Sequence, residues 1–317
     1  MFGDPLPGMT PPDPELDKVY DHILSLDPTG ERIGKVIRRT FDMLYDGKNT
    51  GRYRWEQLHK TEKTHCGTLI EINLQREFKF PDGNILDYRI CGIEVDCKFS
   101  QKLADWMIPP EAEGHILLGL WANDKLGRWS AGLVRADPSY LQRSHGNRDK
   151  KRQLSSTGRG MVRWLFRNAK LKDNVLLRLP EKDVKAIFSH SSGQQRVNEL
   201  FRRAQRHLIS RTVVATVAQQ EDYMARVRGS KNGARTHLRP EGIVIFGQYK
   251  NHAQDAEKLG LPVPGPGEFV SVRLARKRSH HGNAPSIVLD GVEWVVAEES
   301  DPVEPAPLLR NIGRLEE

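Results

Sequence analysis

The spacing of apolar positions predicts helices in the first part of the chain. Apolar residues recur at helical intervals from Leu16 to Leu26 and from Ile33 to Tyr45, and Asp46-Gly47 is a typical stop for the second helix. Residues from Thr61 to Glu77 show the same periodicity in part. The preceding segment is rich in Pro, Gly and Asp, so we expect residues 1–14 to form a flexible arm.

The periodicity then changes to the alternation that is typical of strands. Residues 77–80 alternate, Pro81 to Asn84 has the composition of a hairpin turn, and residues 85–99 continue as strand. Two further apolar runs, His115 to Trp121 and Trp129 to Val134, predict buried strands. The first half is therefore expected to be of the α/β (α+β) class, with a mixed sheet flanked by helices.

The second half has a different pattern. A short amphipathic helix over Glu181–Ser189, a glycine-containing turn, a basic helix over Gln194–Leu208 and a β-branched, strand-like segment over Arg211–Ala218 follow one another. This order predicts a winged helix-turn-helix, which is a DNA-binding fold. The predicted organisation is an arm (1–14), a first domain (15–165), a linker (166–174) and a second domain (175–317).

Composition and charge narrow the classes of partner and compartment. The formal net charge of +8 favours an anionic partner, most simply nucleic acid. The three cysteines are an odd number without C-x-x-C spacing, which argues against a disulfide framework and a zinc knuckle. No apolar run approaches about 18 residues, and the N-terminus lacks a signal region. We expect a cytoplasmic protein with no membrane partner.

One stretch carries candidate chemistry. Asp96 and Lys98 are two residues apart, so in a strand they project from the same face. Asp87 stands near the start of the same strand-like run, and Glu71 lies in the neighbouring helical segment. Such a group can hold Mg²⁺, which prefers few carboxylates and several waters, and can orient a water to hydrolyse a phosphodiester.

These residues have separate expected roles. Asp87 and Asp96 would ligate Mg²⁺, and Glu71 could add a ligand or orient a water. Lys98 would neutralise the attacked phosphate or help to deprotonate the water. The arrangement has the form D-(x)n-[DE]-x-K of the PD-(D/E)xK nucleases. Because D-x-K is short and common, the alternative is an exposed, salt-bridged strand.

The predicted basic helix offers candidate DNA contacts. Gln, Asn and Arg make bidentate contacts to base edges, whereas arginines farther along the helix suit phosphates. The expected base-reading residues are Gln195, Arg196 and Asn198, and the expected phosphate contacts are Arg202 and Arg203. A later basic segment adds Arg226, Arg228, Lys231 and Arg235. The alternatives are a solvated helix face for the first set and a mobile loop for the second.

Two other motifs are expected to carry no chemistry. Leu44-Tyr45-Asp46-Gly47 is similar to the K-x-D-G motif of nucleotidyl transferases such as DNA ligases, but Leu44 replaces the lysine that must form the adenylate. Ligase activity is therefore not expected. His280-His281 lies in a polar segment, and we expect an exposed loop there rather than a metal site.

Longer blocks give a more specific likeness. The block from Tyr45 to Leu74, continuing to Asp96-Cys97-Lys98, resembles the NaeI family of restriction endonucleases. Shorter blocks in the second half share the resemblance: Arg196 to Arg203, Ala215 to Gln220, Leu238 to Ile243 and Leu259 to Pro264. The likeness weakens in the N-terminal arm, around residues 142–174 and in the tail.

The resemblance implies a type IIE restriction enzyme. Such an enzyme is a homodimer that binds two copies of its target in double-stranded DNA, one at a nuclease domain and one at an effector domain with a helix-turn-helix of catabolite-activator type. The second copy activates cleavage, which depends on Mg²⁺, at the palindrome GCCGGC. A DNA methyltransferase would be the counterpart enzyme. The family's active-site residues carry over onto Glu71, Asp87, Asp96 and Lys98, and the leucine in place of the ligase lysine onto Leu44.

Two other functions fit part of the pattern. A winged-helix regulator without catalysis would use the second half alone, on a degenerate nuclease core. A repair nickase of the same nuclease superfamily would cut one strand at a lesion. Mg²⁺-dependent nicking of a plasmid would separate the regulator from the nucleases.

Overall fold

The computed structural model describes residues 12–142, 149–229 and 232–315. The chain divides into two compact units. The first unit is formed by residues 1–44 and 58–172, and the second by residues 45–57 and 173–317. No helix in the described ranges has the length and apolar character needed to cross a membrane.

The elements along the chain are as follows. The helices are α1 (Pro14–Leu26), α2 (Glu31–Tyr45), α3 (Gly47–Thr50), α4 (Lys60–Phe78), α5 (Ser156–Gly160), α6 (Glu181–Phe188), α7 (Gly193–Arg203), α8 (Arg211–Ala218), α9 (Ala234–His237) and α10 (Lys250–Lys258). The strands are β1 (Tyr88–Ile90), β2 (Ile93–Ser100), β3 (Ile116–Asn123), β4 (Arg128–Arg135), β5 (Arg163–Lys170), β6 (Ile209–Ser210), β7 (Ile243–Phe246), β8 (Glu268–Arg276), β9 (Ser286–Leu289) and β10 (Val292–Val296).

The first unit is built on a mixed five-stranded sheet in the order β1-β2-β3-β4-β5. β2 and β3 run parallel, and the other neighbours are antiparallel. The helices predicted in the first 45 residues are confirmed, and so is the mixed sheet with flanking helices. Burial of the apolar stripe of α2, including Ile33, Ile37 and Phe41, gives this unit much of its core.

Two predictions in the first unit are wrong. Residues 77–80 do not form a strand before a hairpin turn, because α4 continues to Phe78 and Lys79 caps it in the left-handed region at φ 56°. Residues 166–170, predicted as part of a linker, are the second half of β5, which pairs with β4. The boundary of the predicted arm differs by one residue, since α1 begins at Pro14, where the Asp13 side chain accepts from the Leu16 amide. Residues 1–11 lie outside the described residues.

The second unit is organised around β8. This strand pairs antiparallel with β6, β7 and β10, and β10 pairs with β9. The pairing of β8 with β10 sets Leu274 opposite Val296. One apolar cluster, which includes Val197, Phe201 and Val214, joins α7 and α8. Residues 45–57 also belong to this unit, although the sequence places them inside the first domain.

The segment from Arg211 to Ala218 is a helix, not the predicted strand. Its β-branched residues favour strands only weakly, and tertiary context decides. Ser210 caps the helix by accepting from the Val213 amide, and every residue from Val213 to Ala218 is buried. The predicted basic helix is also shorter than expected, because α7 ends at Arg203 and Arg206 adopts φ 63°.

Candidate active site

The antiparallel pairing of β1 with β2 assembles the candidate site in the first unit. Lys98 Nζ lies 2.6 Å from Asp96 Oδ1 and 3.5 Å from Asp87 Oδ2. Asp87 immediately precedes β1, and its Oδ2 also accepts from the Cys97 amide at 2.7 Å. The structure thus brings three of the four predicted residues into direct contact.

Glu71 approaches the same group from α4. The Tyr88 hydroxyl donates to the Glu71 carbonyl at 2.7 Å and so ties α4 to β1. Burial, aided by the negative charge of Asp87, raises the pKa of Glu71 to about 7. Burial also raises the pKa of Asp96 to about 6, although the Lys98 ammonium opposes the shift. The carboxyl groups are therefore close enough to disfavour one another's charge.

One oxygen atom of this group lacks a hydrogen-bond partner. Asp96 Oδ2 is buried and has no hydrogen-bond partner among the described residues. A buried carboxylate oxygen without a partner is costly, and a bound cation removes that cost. The carboxylate donor set is the one that hard divalent cations prefer, so these residues fit such an ion.

A second cluster has the spacing of a metal site, but a histidine nitrogen that would have to bind the metal carries a proton. Among the described residues, His280, His281 and Asp301 place their ligand atoms within 4.8 Å of one another. However, the Arg278 amide donates to His281 Nδ1 at 2.9 Å, so neutral His281 carries its proton on Nε2 and donates it to Asp301 Oδ2 at 3.0 Å. That nitrogen has no lone pair for a metal. The cluster is structural, and the expectation of an exposed loop was wrong for His281, which is buried.

The arginines of α7 are engaged inside the second unit. Arg196 donates to four backbone carbonyls, those of His190, Ser191, Val217 and Ala218. Arg202 pairs with Glu241 at 2.8 Å and with Glu199, and Arg203 pairs with Glu199 at 2.7 Å and Asp183 at 3.0 Å. Each guanidinium group is therefore paired with acceptors of its own unit, although the Arg202 and Arg203 side chains remain 36% and 42% exposed.

The two polar uncharged residues of α7 that were predicted to read bases differ in their surroundings. Gln195 is exposed. Asn198 contacts His237 Nδ1 at 3.0 Å and accepts from Gln194 at 2.8 Å, so it supports the segment that carries α9. The sequence alone did not indicate that Asn198 would bond to side chains of its own unit.

The later basic segment is more open. Arg228 is exposed, and Arg226 pairs with Asp222 at 3.0 Å. Arg235 is largely buried, which lowers its pKa, and donates to the Ile245 carbonyl at 3.1 Å. Lys231 lies outside the described residues. In the first unit Leu44 is 6% exposed, and no amine stands at its position.

Two contributors to the site were missed by sequence reasoning. The Cys97 amide and the Tyr88 hydroxyl hold Asp87 and α4 in place. A backbone amide leaves no trace in a sequence. Tyr88 could have been found only from its position beside Asp87.

Comparison with known proteins shows which family the sequence of this chain matches. The family described as restriction endonuclease NaeI matches residues 17–305. The type II restriction enzyme NaeI of Lentzea aerocolonigenes is 49% identical over 305 residues, which cover 94% of this chain and 95% of that protein. The match therefore spans both units, including the strand that carries Asp96 and Lys98. The chain belongs to the NaeI family of restriction endonucleases.

Proposed function

We propose that this restriction endonuclease hydrolyses DNA phosphodiester bonds at the site formed by Glu71, Asp87, Asp96 and Lys98, with Mg²⁺ as the divalent cation. The observation that carries the proposal is the buried Asp96 Oδ2, which has no partner among the described residues although Oδ1 contacts Lys98 at 2.6 Å. Asp87 and Asp96 would hold the ion, with Glu71 as a further ligand or as the group that orients a water. A divalent cation supplies charge neutralisation at the phosphate and lowers the pKa of a water.

The protein's own groups divide the remaining work. Lys98 donates toward Asp96, Asp87 and the Cys97 carbonyl, so its ammonium has no lone pair with which to accept a proton. We assign it to neutralising the charge that develops on the attacked phosphate. Glu71 is the remaining carboxylate of the group, and it is suited to take a proton from the attacking water where it does not ligate the ion. The reaction is a direct attack of water on phosphorus without a covalent enzyme intermediate.

The second unit is proposed to bind a second copy of the target. The proposal is supported by the order β6, α8, α9, β7 and β8 after α7, with β6 and β7 both paired to β8, because a winged helix of catabolite-activator type has a similar order. In that arrangement the segment after α8, and not α7, faces DNA. We therefore propose the DNA contact at residues 219–229 and 232–239, where Arg228 is exposed, and assign the arginines of α7 to stability.

The finer properties extend the family likeness. We propose a cytoplasmic homodimer that cuts double-stranded DNA at GCCGGC, is activated by a second bound copy, and works beside a DNA methyltransferase that protects the same sequence. Reciprocal coupling between the two DNA sites follows by linkage.

The test is cleavage of a plasmid that carries two GCCGGC sequences, with Mg²⁺, with EDTA, and with Asp96→Asn. Discrete double-strand cuts at those sequences, lost with EDTA and in the variant, are expected. DNA binding without cleavage under Mg²⁺ or Mn²⁺ would favour the regulator, and single-strand nicks would favour the nickase. Discrete cuts at another sequence would retain the chemistry and reject the target.

A further inference from the structure

The ligase-like motif leads into a segment that packs on α8 of the second unit. We call residues 45–57 the strap. Within the second unit, α3 of the strap packs on α8 so closely that a Cβ added to Gly47 would overlap the Thr216 hydroxyl and lie 2.9 Å from the Arg52 carbonyl. Only a glycine permits this approach.

The strap meets the C-terminal end of α8 at two further points. Gly51, at φ 71°, faces the Gln219 amide, which would lie 2.7 Å from an added Cβ. Lys48 Nζ lies 2.8 Å from both carboxylate oxygens of Glu221. Gln219 and Glu221 begin the segment that we propose to contact DNA. The strap therefore contacts the first residues of the proposed DNA-binding segment.

The remainder of the strap is anchored in the same unit. The Tyr53 ring stacks on Phe188 with centroids 5.9 Å apart and an interplanar angle of 10°. The Tyr53 carbonyl accepts from the Asn174 side chain at 3.1 Å. A displacement of α8 therefore has to be absorbed along the strap or passed on at its ends.

Both ends of the strap continue directly into elements of the first unit. The strap follows α2 without a break, and only Leu58 and His59 separate Gln57 from the start of α4. Two residues span at most about 7 Å, so they leave little slack. Glu71 lies on α4 eleven residues after its start, and a 19-residue helix moves as a unit.

We propose that the strap couples DNA bound at residues 219–229 and 232–239 to the position of α4, and so of Glu71. Gly47 and Lys48 are positioning residues that act through this helix. This inference rests on the proposed second-site activation and names the residues that would transmit it. DNA binding would displace Gln219 and Glu221, and the strap would pass that displacement on to α4.

The test measures cleavage of a one-site substrate with and without a short GCCGGC duplex, in the full-length enzyme. Gly47→Ala should reduce the stimulated-to-basal ratio of kcat at least tenfold, because the strap can no longer seat on α8. The basal rate and the affinity for the duplex should stay within twofold of the wild type. Gly160→Ala is the matched control, since a Cβ there meets no atom within 4 Å.

Charge reversal gives a second test that does not depend on how Gly47→Ala folds. Lys48→Glu and Glu221→Lys should each lower the ratio about threefold at low salt, and the double variant should restore it. A purely structural role would lower the basal and the stimulated rates together and leave their ratio unchanged in the single variants.

The outcomes separate the two proposals. A wild-type enzyme that cleaves but is not stimulated by the duplex overturns second-site activation and the strap's role with it. A stimulated enzyme whose ratio survives Gly47→Ala and both charge reversals overturns the strap alone.

Discussion

The acids of the first unit and the arginines of α7 were both predicted to be functional from charge and spacing, yet the structure uses them differently. The α7 arginines donate to carbonyls and carboxylates of their own unit. The Asp96 carboxylate keeps a buried oxygen without a partner among the described residues, beside a lysine shared with Asp87. The difference teaches that charge alone does not identify a ligand site. A buried carboxylate oxygen without a partner points to a ligand only where further acids and a lysine converge on it, as they do at Asp96.

The sharpest test of this contrast is Lys98→Ala. Removal of the ammonium should lower the cleavage rate by about 10³-fold, because the charge that develops on the phosphate loses its neutralising partner. Steady-state cleavage of a plasmid or duplex measures the effect. The rate is expressed per folded molecule, because removal of the ammonium also leaves the buried Asp96 carboxylate without its charge partner. A variant that unfolds more readily but cleaves at the wild-type rate per folded molecule would assign Lys98 to structure instead.

A buried group whose hydrogen bonds are all made within the protein should affect stability and not cleavage. His252 is such a group, and its titration provides a test. Its Nδ1 accepts from the Gly247 amide, its Nε2 donates to the Arg310 carbonyl, and burial lowers its pKa to about 4. The unfolded chain binds the proton near pH 6.5, so the stability that neutral His252 contributes is present above pH 6.5 and is lost as the pH falls toward 4. The total is on the order of 3 kcal/mol.

Denaturant unfolding from pH 7 to pH 4 measures this dependence. His252→Gln, which cannot titrate, should flatten the curve over that window. An unchanged slope in the variant would show that other groups cause the pH dependence.

The smallest effect is expected for Arg196→Ala. Loss of its bonds to four backbone carbonyls should lower the free energy of unfolding by about 2 kcal/mol, without changing the DNA affinity of the folded protein. Arg228→Ala is the contrasting variant, because its side chain is exposed. It should leave stability unchanged and reduce the salt slope of DNA binding by about one. The reverse pattern would return the DNA contact to α7.

The sequence was a good guide where a pattern is local. The periodicity at residues 33–45 predicted α2, and the two-residue spacing of Asp96 and Lys98 predicted a shared face, since strand geometry leaves no alternative. It failed at residues 211–218, where β-branched composition indicated a strand, but a cap at Ser210 and the burial of residues 213–218 favoured a helix. Secondary-structure propensities of about 1 kcal/mol are smaller than the free energy of burying such a segment.

The sequence by itself determined the chemical inventory: the carboxylates, the lysine, the excess of basic residues, and the long blocks that indicate the family. Only the tertiary structure decided which charged groups are used internally, that Asp87 is held by the Cys97 amide, and that residues 45–57 pack with the second unit. The physical reason is that hydrogen-bond partners are chosen by proximity in space. Arg196 and Val217 are 21 residues apart, and no local pattern records that they meet.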